Sequence, residues 1–267
     1  MHILLLGGTG LLGSAVKRVA EEAGHDVIAP DSKDFNLLNK NHLFKTMMHL
    51  LPASAHKNVH PRSCIVINCA GISNPDFVNT RLYLSLINVA GPLDIANICM
   101  AYGLKYVHIR SCFETTDADE PYAHSKRAIY SALKCIDPGL IYYIKPGWLF
   151  GPDPNNRIGA RMVTIAKLDG DFKATNDRWF SPSYVKDVAE GMIRTITEKP
   201  PGEYVIANQG KATFYDVARI IWEATGSQGK VIPVSSDDKI RRPKDASIEG
   251  TMRPWQDAIR EYLETMK

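Results

Sequence analysis

The sequence predicts an α/β fold, a doubly wound parallel sheet carrying a smaller C-terminal lobe, on three observations. Short apolar runs alternate with amphipathic stretches through the first half of the chain, the pattern of strands joined by crossover helices. The first apolar run breaks directly into a glycine-rich turn, Gly7-Gly8-Thr9-Gly10-Leu11-Leu12-Gly13. After Gly147 the alternation gives way to Gly-, Pro- and Asn-rich breaks at 151–156 and 169–171, which lengthen the loops.

In chain order, the alternation predicts strands over 2–6, 26–29, 64–68, 105–109 and 140–145 and helices over 11–23, 41–51, 82–102 and 123–134. Further helices are expected over 184–197 and 214–224, with one more strand over 203–207, and the amphipathic tail 255–266 reads as either a packed final helix or an interface. The His- and Pro-containing stretch 52–62 reads as an exposed loop.

Composition narrows the function classes. A chain of 267 residues with 45% hydrophobic and 23% charged residues buries a sizeable core and is neither disordered nor fibrous. A net charge of +3, spread along the chain, forms no basic tract and argues against a nucleic-acid partner. Five cysteines without a CxxC spacing suggest no disulfide framework and no metal site. The apolar start, 1–6, is cut short by glycine without a charged leader, and no apolar run reaches the ~18 residues of a membrane span. A cytoplasmic protein without a membrane partner is expected.

The glycine turn sits between a strand and a helix, the context in which it carries chemistry. An early Gly7 permits the tight turn, Gly10 lets backbone approach a pyrophosphate, and Gly13 allows the helix to pack on the strand; the helix start, with Thr9, Leu11 and Leu12, faces the phosphate charge. This is a Rossmann-type dinucleotide site. Asp31 closes the second strand, where an acid accepts hydrogen bonds from the adenosine ribose and favours NADH. Ser32 and Lys33 follow at once and suit a 2′-phosphate, so NADPH and NADH both remain open. Cys69, Ala70 and Gly71 end the third strand at the same edge, small enough for a cofactor to lie against them.

Tyr122 and Lys126 stand four residues apart, on one face of a helix. A phenol with a pKa near ~10 is a poor acid–base catalyst at neutral pH, and a neighbouring ammonium is expected to lower it. Ser111, just after the fourth strand, is placed to hydrogen-bond a reacting oxygen, whereas Cys112 beside it reads as a small packed residue.

With the glycine turn and the Tyr/Lys pair in hand, the sequence resembles the extended short-chain dehydrogenase/reductases, and later segments are similar to the dTDP-4-dehydrorhamnose reductase family. Those segments are Asn68-Cys69-Ala70-Gly71, Ile87-Asn88-Val89-Ala90-Gly91-Pro92, Val107-His108-Ile109, Lys145-Pro146-Gly147-Trp148-Leu149-Phe150-Gly151-Pro152, Ser181-Pro182-Ser183-Tyr184 with Asp187-Val188-Ala189, and Arg253-Pro254-Trp255-Gln256.

The resemblance implies an NADPH- or NADH-dependent reductase of a nucleotide-linked 4-keto-6-deoxy sugar. In it Tyr122 protonates the carbonyl oxygen, Lys126 lowers the Tyr pKa and holds the nicotinamide ribose, Ser111 polarises the carbonyl and Trp148 lines the substrate pocket. Asn36 and Leu37 fall beside the adenine. It also implies a dinucleotide-binding domain over 1–147, a mainly substrate-binding lobe over 148–267 with segments returning to the first, and a possible homodimer. Other readings are a nucleotide-sugar epimerase or dehydrogenase, and a non-catalytic cofactor-binding subunit.

Two departures stand out. The family commonly reads Ser-Thr-Asp-Tyr-Val-Phe where this chain reads Arg110-Ser111-Cys112-Phe113-Glu114-Thr115, and only 11 positions separate Ser111 from Tyr122, fewer than relatives generally have.

Overall fold

The computed structural model describes residues 1–31, 33, 35–55, 64–73, 81–116, 119–152, 170–237 and 242–266. Strands β1 (His2–Leu6), β2 (Asp26–Ile28), β3 (Cys64–Asn68), β4 (Lys105–Ile109) and β5 (Ile141–Lys145) form the main sheet with β10 (Gly202–Val205). The order is β10-β5-β4-β3-β1-β2 and every pairing is parallel.

Alternation within each strand explains why helices cover both faces. Ile3, Leu5, Ile65, Ile67, Val107, Tyr142 and Ile144 point to one core, and Leu4, Leu6, Cys64, Val66, Tyr106, Ile141 and Tyr143 point to the other. A strand buried on both sides has no polar face, so it reads as a continuous apolar run. On the first face lie α1 (Leu11–Glu22), and, from the C-terminal half, α6 (Val185–Glu198), α7 (Phe214–Thr225) and α8 (Trp255–Glu264). On the second lie α2 (Lys40–Ala55), α4 (Gly91–Ala101) and α5 (Pro121–Ile136).

The stretch expected as one helix over 82–102 is α3 (Arg81–Ser85), a π-turn (Leu86–Ala90) and then α4. Its apolar length passes for a bilayer span, with mean hydropathy 1.4 over an 18-residue window within Arg81–Ala101. Its inner side is pinned instead against the sheet and α5 through Ile95, Ala96 and Cys99, with polar Asn88 buried in the π-turn. That is a helix laid on the sheet by one face.

The remaining strands are short: β6 (Trp148–Phe150) pairs with β9 (Pro182–Tyr184), β7 (Phe172–Thr175) with β12 (Val231–Val234), β8 (Trp179–Phe180) with β13 (Asp245–Ala246), and β11 (Asn208–Gln209) with β14 (Met252–Pro254). A buried polar lock joins them. Arg253 donates through Nε and Nη2 to the two Asp187 oxygens, both at 2.9 Å, and Asn208 Nδ2 donates to Asp187 Oδ2 at 2.6 Å. Asn208 Oδ1 accepts from the Tyr184 N–H at 2.8 Å, so one side-chain cluster ties β9, β11, β14 and α6 together.

The sequence expectation of a loop over 52–62 is corrected at its start, since α2 continues to Ala55; 56–62 lie outside the described residues. Most of the break at 151–156, residue 169 and Ser32 also lie outside them. The strand expected over 203–207 is β10, shifted one residue earlier and ending at Val205.

Candidate active site

From β1 the chain passes to β2 on one side and, later, to β3 on the other, so the strand order switches at β1/β3. In such sheets a crevice opens at the carboxyl ends of those two strands. The glycine turn leaves β1 there and Cys69-Ala70-Gly71 leaves β3, tied across by a Cys69 N–H to Leu6 carbonyl bond of 2.9 Å.

The three glycines differ physically. Gly7 has φ 78° and its missing Cβ would stand 2.5 Å from the Ala70 nitrogen, so both conformation and space demand glycine. A Cβ on Gly13 would fall 2.0 Å from the Gly7 carbonyl oxygen. Among the described residues, a Cβ on Gly10 would meet that same oxygen alone, at 3.4 Å. No side chain among the described residues caps α1, and no acid stands in its first turn. Its first N–H groups are left for an anion, and this cradle fits a dinucleotide pyrophosphate.

Beyond β2, the Asp31 carboxylate accepts the Lys33 N–H at 2.7 Å, and Asn36 accepts the Leu38 N–H at 2.9 Å. Leu37 packs against Gly91 at the start of α4. Asp31, Asn36 and Leu37 thus share the loop after β2, at the sheet's carboxyl edge.

Ser111 follows β4 at the same edge and opens a short 3-10 turn, Cys112–Thr115. Its Oγ accepts the Phe113 N–H at 3.2 Å, and its hydroxyl acts on the Tyr122 phenol in the direction that favours ionisation. Glu120 starts α5 by accepting the N–H groups of Ala123 and Tyr122, at 2.9 and 3.3 Å, ahead of Pro121 in the first turn. Lys126 then lies one turn beyond Tyr122, its Nζ 5.9 Å from the ring centroid and 3.3 Å from the Ile109 carbonyl it donates to. Phe113 meets the Tyr122 ring edge-on at 5.7 Å.

The electrostatics differ from the sequence expectation. Burial pushes the Tyr122 phenol well above its ordinary pKa, opposed by the Ser111 hydroxyl and reinforced by the carboxylates of Glu114 and Glu120. The expected net depression is corrected: the Lys126 ammonium stands 5.9 Å from the ring centroid, and desolvation of the buried phenol dominates. Burial likewise lowers the Lys126 pKa, with Glu114 as the main opposing charge. Burial also pushes the Cys112 thiol up to about 11, which leaves it an inert packed side chain.

Trp148 opens β6, two residues past β5 and half-buried, with its N–H to the Ser181 carbonyl at 2.7 Å and its ring 5.1 Å from Phe180. Two groups escaped the sequence reading. Asn88, on the π-turn, accepts the Ile72 N–H at 2.8 Å and donates to the Ile72 carbonyl and to Ser125 Oγ at 3.0 and 3.2 Å. Its signal was a polar residue inside an apolar helix, the setting in which a π-turn forms. Glu114, beside Ser111, accepts the Ser111 N–H at 3.0 Å and the Arg110 Nε–H at 2.7 Å; their spacing of four hinted at the pair.

A switch-point cradle for a dinucleotide, with a serine, a tyrosine and a lysine on the same sheet edge, defines a nicotinamide-dependent oxidoreductase of the short-chain type. The RmlD substrate binding domain family matches residues 1–267. The chain belongs to that family. It is 27% identical to the spore coat polysaccharide biosynthesis protein SpsK of Bacillus subtilis, over 98% of this chain and 96% of that protein. It is 25% identical to the dTDP-4-dehydrorhamnose reductase of Mycobacterium tuberculosis, over 95% and 86% of the two chains. Among solved structures, the dTDP-4-dehydrorhamnose reductase of Bacillus anthracis in complex with NADP has the same fold, with a TM-score of 0.86 at 20% identity over 99% of each chain.

Proposed function

We propose that this chain is an NAD(P)H-dependent reductase of a nucleotide-linked 4-keto-6-deoxy sugar, acting as the dTDP-4-dehydrorhamnose reductases among its relatives are named to act. The observation that carries the reading is the buried Tyr122 phenol, beside Ser111 at the edge where the glycine cradle opens. A phenol that burial keeps protonated is an acid, which is the state a carbonyl reduction consumes.

The nicotinamide cofactor, when bound, supplies hydride. Gly7, Thr9, Gly10, Leu11, Leu12 and Gly13 hold its pyrophosphate, while Asp31, Asn36 and Leu37 flank its adenosine. Cys69, Ala70 and Gly71 line its path between the strands, and Tyr122 and Lys126 face its inner ribose. Ser111 Oγ donates to the substrate carbonyl oxygen and orients it, and the Tyr122 hydroxyl gives that oxygen its proton. Lys126 keeps a positive charge beside the phenol, so the phenolate formed on proton transfer is stabilised. Trp148 lines the sugar side of the pocket. The proposal includes residues 1–147 as the cofactor domain, 148–267 as the mainly substrate-binding lobe, a cytoplasmic homodimer, and no nucleic-acid or membrane partner.

Mixing the protein with reduced cofactor and a dTDP-4-keto-6-deoxyhexose is expected to consume nicotinamide absorbance. Tyr122→Phe is expected to lose turnover by about 100-fold or more while binding cofactor as before. Absence of turnover with every 4-keto sugar nucleotide, or a fully active Phe variant, would refute the proposal, the latter in favour of a non-catalytic subunit.

A further inference from the structure

We propose that Glu114, held by Arg110, is a positioning residue for the Ser111, Tyr122 and Lys126 set: it fixes the turn bearing Ser111 and places a buried negative charge beside the other two. The proposal rests on the reductase reading and adds two residues to it.

The geometry is a clamp with the reacting hydroxyl at one end. The Glu114 side chain is only 2% exposed and uses both oxygens, one for the Ser111 N–H at 3.0 Å and the other for Arg110 Nε at 2.7 Å. Ser111 Oγ returns the bond by accepting from the turn that Glu114 belongs to. The serine is therefore fixed through its backbone and its side chain at once. Arg110 is anchored in turn: Nη1 donates to Glu203 Oε2 at 2.7 Å, and its guanidinium lies 3.7 Å over the Tyr130 ring. Glu203 also accepts from Tyr130 and Lys134, at 2.8 and 3.0 Å. The clamp so joins the Ser111 turn to β10 and to α5, the helix that carries Tyr122 and Lys126.

A buried ion pair is a poor device for stability alone, because apolar residues of equal volume do as well. This one stands where the related pattern Ser-Thr-Asp-Tyr-Val-Phe has a serine and a valine, in a chain with a short segment between Ser111 and Tyr122. Fixing the serine from below replaces what a longer loop would fix from above. The charge matters too. Tyr122 is faced by Ser111, Cys112, Glu114 and Glu120, and Lys126 by Cys69, His108 and Glu114. Burial keeps both thiols and the His108 ring uncharged, and Glu120 is engaged with the N–H groups at the start of α5. Glu114 is thus the carboxylate that acts on both groups, and it favours the protonated form of each.

The test is Glu114→Gln and Glu114→Asp in the full-length chain, with steady-state kinetics across pH and cofactor titration. Glu114→Gln is expected to lower kcat about 10- to 100-fold by misplacing Ser111, with cofactor affinity kept. Its alkaline limb should move to lower pH by about half a unit or more, because loss of the anion lets the coupled Tyr122/Lys126 pair shed protons earlier. Glu114→Asp keeps the charge but is too short to span Ser111 and Arg110. Its kcat should fall with the limb unmoved, and it serves alone if Glu114→Gln does not fold. A Glu114→Gln enzyme with normal kcat, or with lowered kcat and an unmoved limb, would overturn the proposal, as would a fully active Glu114→Asp. Nuclear magnetic resonance of isotope-labelled lysine, with Lys126 assigned through Lys126→Met, separates this from the reductase reading. If the parent protein reduces no 4-keto sugar nucleotide, a downward shift of the Lys126 midpoint in Glu114→Gln still supports the clamp, and an unchanged midpoint still overturns it.

Discussion

Replacing Gly13 and Gly10 by alanine, one at a time, is expected to separate folding from cofactor binding within one turn. At Gly13 the new methyl would stand 2.0 Å from the Gly7 carbonyl oxygen, 2.8 Å from its carbon and 3.0 Å from the Gly8 Cα. All three are backbone, so no rotamer change relieves them, and the carbonyl must retreat by about 1 Å. Overpacking of this kind costs about 3 kcal/mol. Alanine regains at most about 1 kcal/mol of helix propensity, which leaves a net loss of about 2 kcal/mol. For a chain of this size that lowers Tm by about 4–8 °C.

At Gly10 the backbone, φ −80° and ψ 171°, suits alanine, and the nearest atom stands at 3.4 Å. The stability change should stay within about 0.5 kcal/mol. On the proposed function, the methyl fills the space where a pyrophosphate would approach the start of α1, so cofactor affinity should fall about 10-fold or more. Thermal unfolding followed by circular dichroism reads the first quantity, and titration of nicotinamide fluorescence reads the second. If Gly10→Ala loses as much Tm as Gly13→Ala, or binds reduced cofactor like the parent, the division of labour drawn from these distances is wrong.

Three further outcomes are expected. Asp187→Asn weakens the lock on Arg253 and Asn208; because Arg253 is about a third exposed and Glu261 still holds it at 2.6 Å, the loss should be about 1–2 kcal/mol, seen in a denaturant titration. The Glu203 carboxyl, raised by its desolvation but drawn down on balance to about 2 by Lys134, Tyr130 and Arg110 together, contributes stability that is full above pH 4.5 and lost as pH falls toward 2. Glu203→Gln should therefore be less stable at neutral pH and decline less across that acid window, measured by thermal scans at stepped pH. Asp31→Asn removes a carboxylate from the loop after β2 and should shift the kcat/KM preference toward NADPH by about 10-fold, as read from paired steady-state assays.

How much of this was legible in the sequence follows from the physics of each part. The strands over 2–6, 64–68 and 105–109 begin and end where the apolar alternation does, because burial on both faces writes every position of a strand into hydrophobicity. Tyr122 and Lys126 were legible as a pair because four residues on a helix is a local spacing. The direction of the Tyr122 pKa was not, since it depends on how much protein surrounds the hydroxyl. Asn88 was hidden by its π-turn, which forms for partners 16 and 37 residues away. The Arg110 clamp was half visible: Glu114 is four residues off, whereas Glu203 is 93 residues away and adjacent only through the sheet. The C-terminal strands, some only two residues long, are too brief to carry a period.

The sixth strand of the main sheet has a consequence for any attempt to cut the chain in two. β10 comes from beyond residue 200, yet its register runs along β5 from Tyr142 to Lys145. A fragment stopped at Gly147 would leave β5 as a raw edge, its amides and carbonyls offered to the next copy in solution. It would also strip α1 of the cover that α6 provides. The upstream half would thus be expected to gather into aggregates on its own, the downstream half serving as its seal.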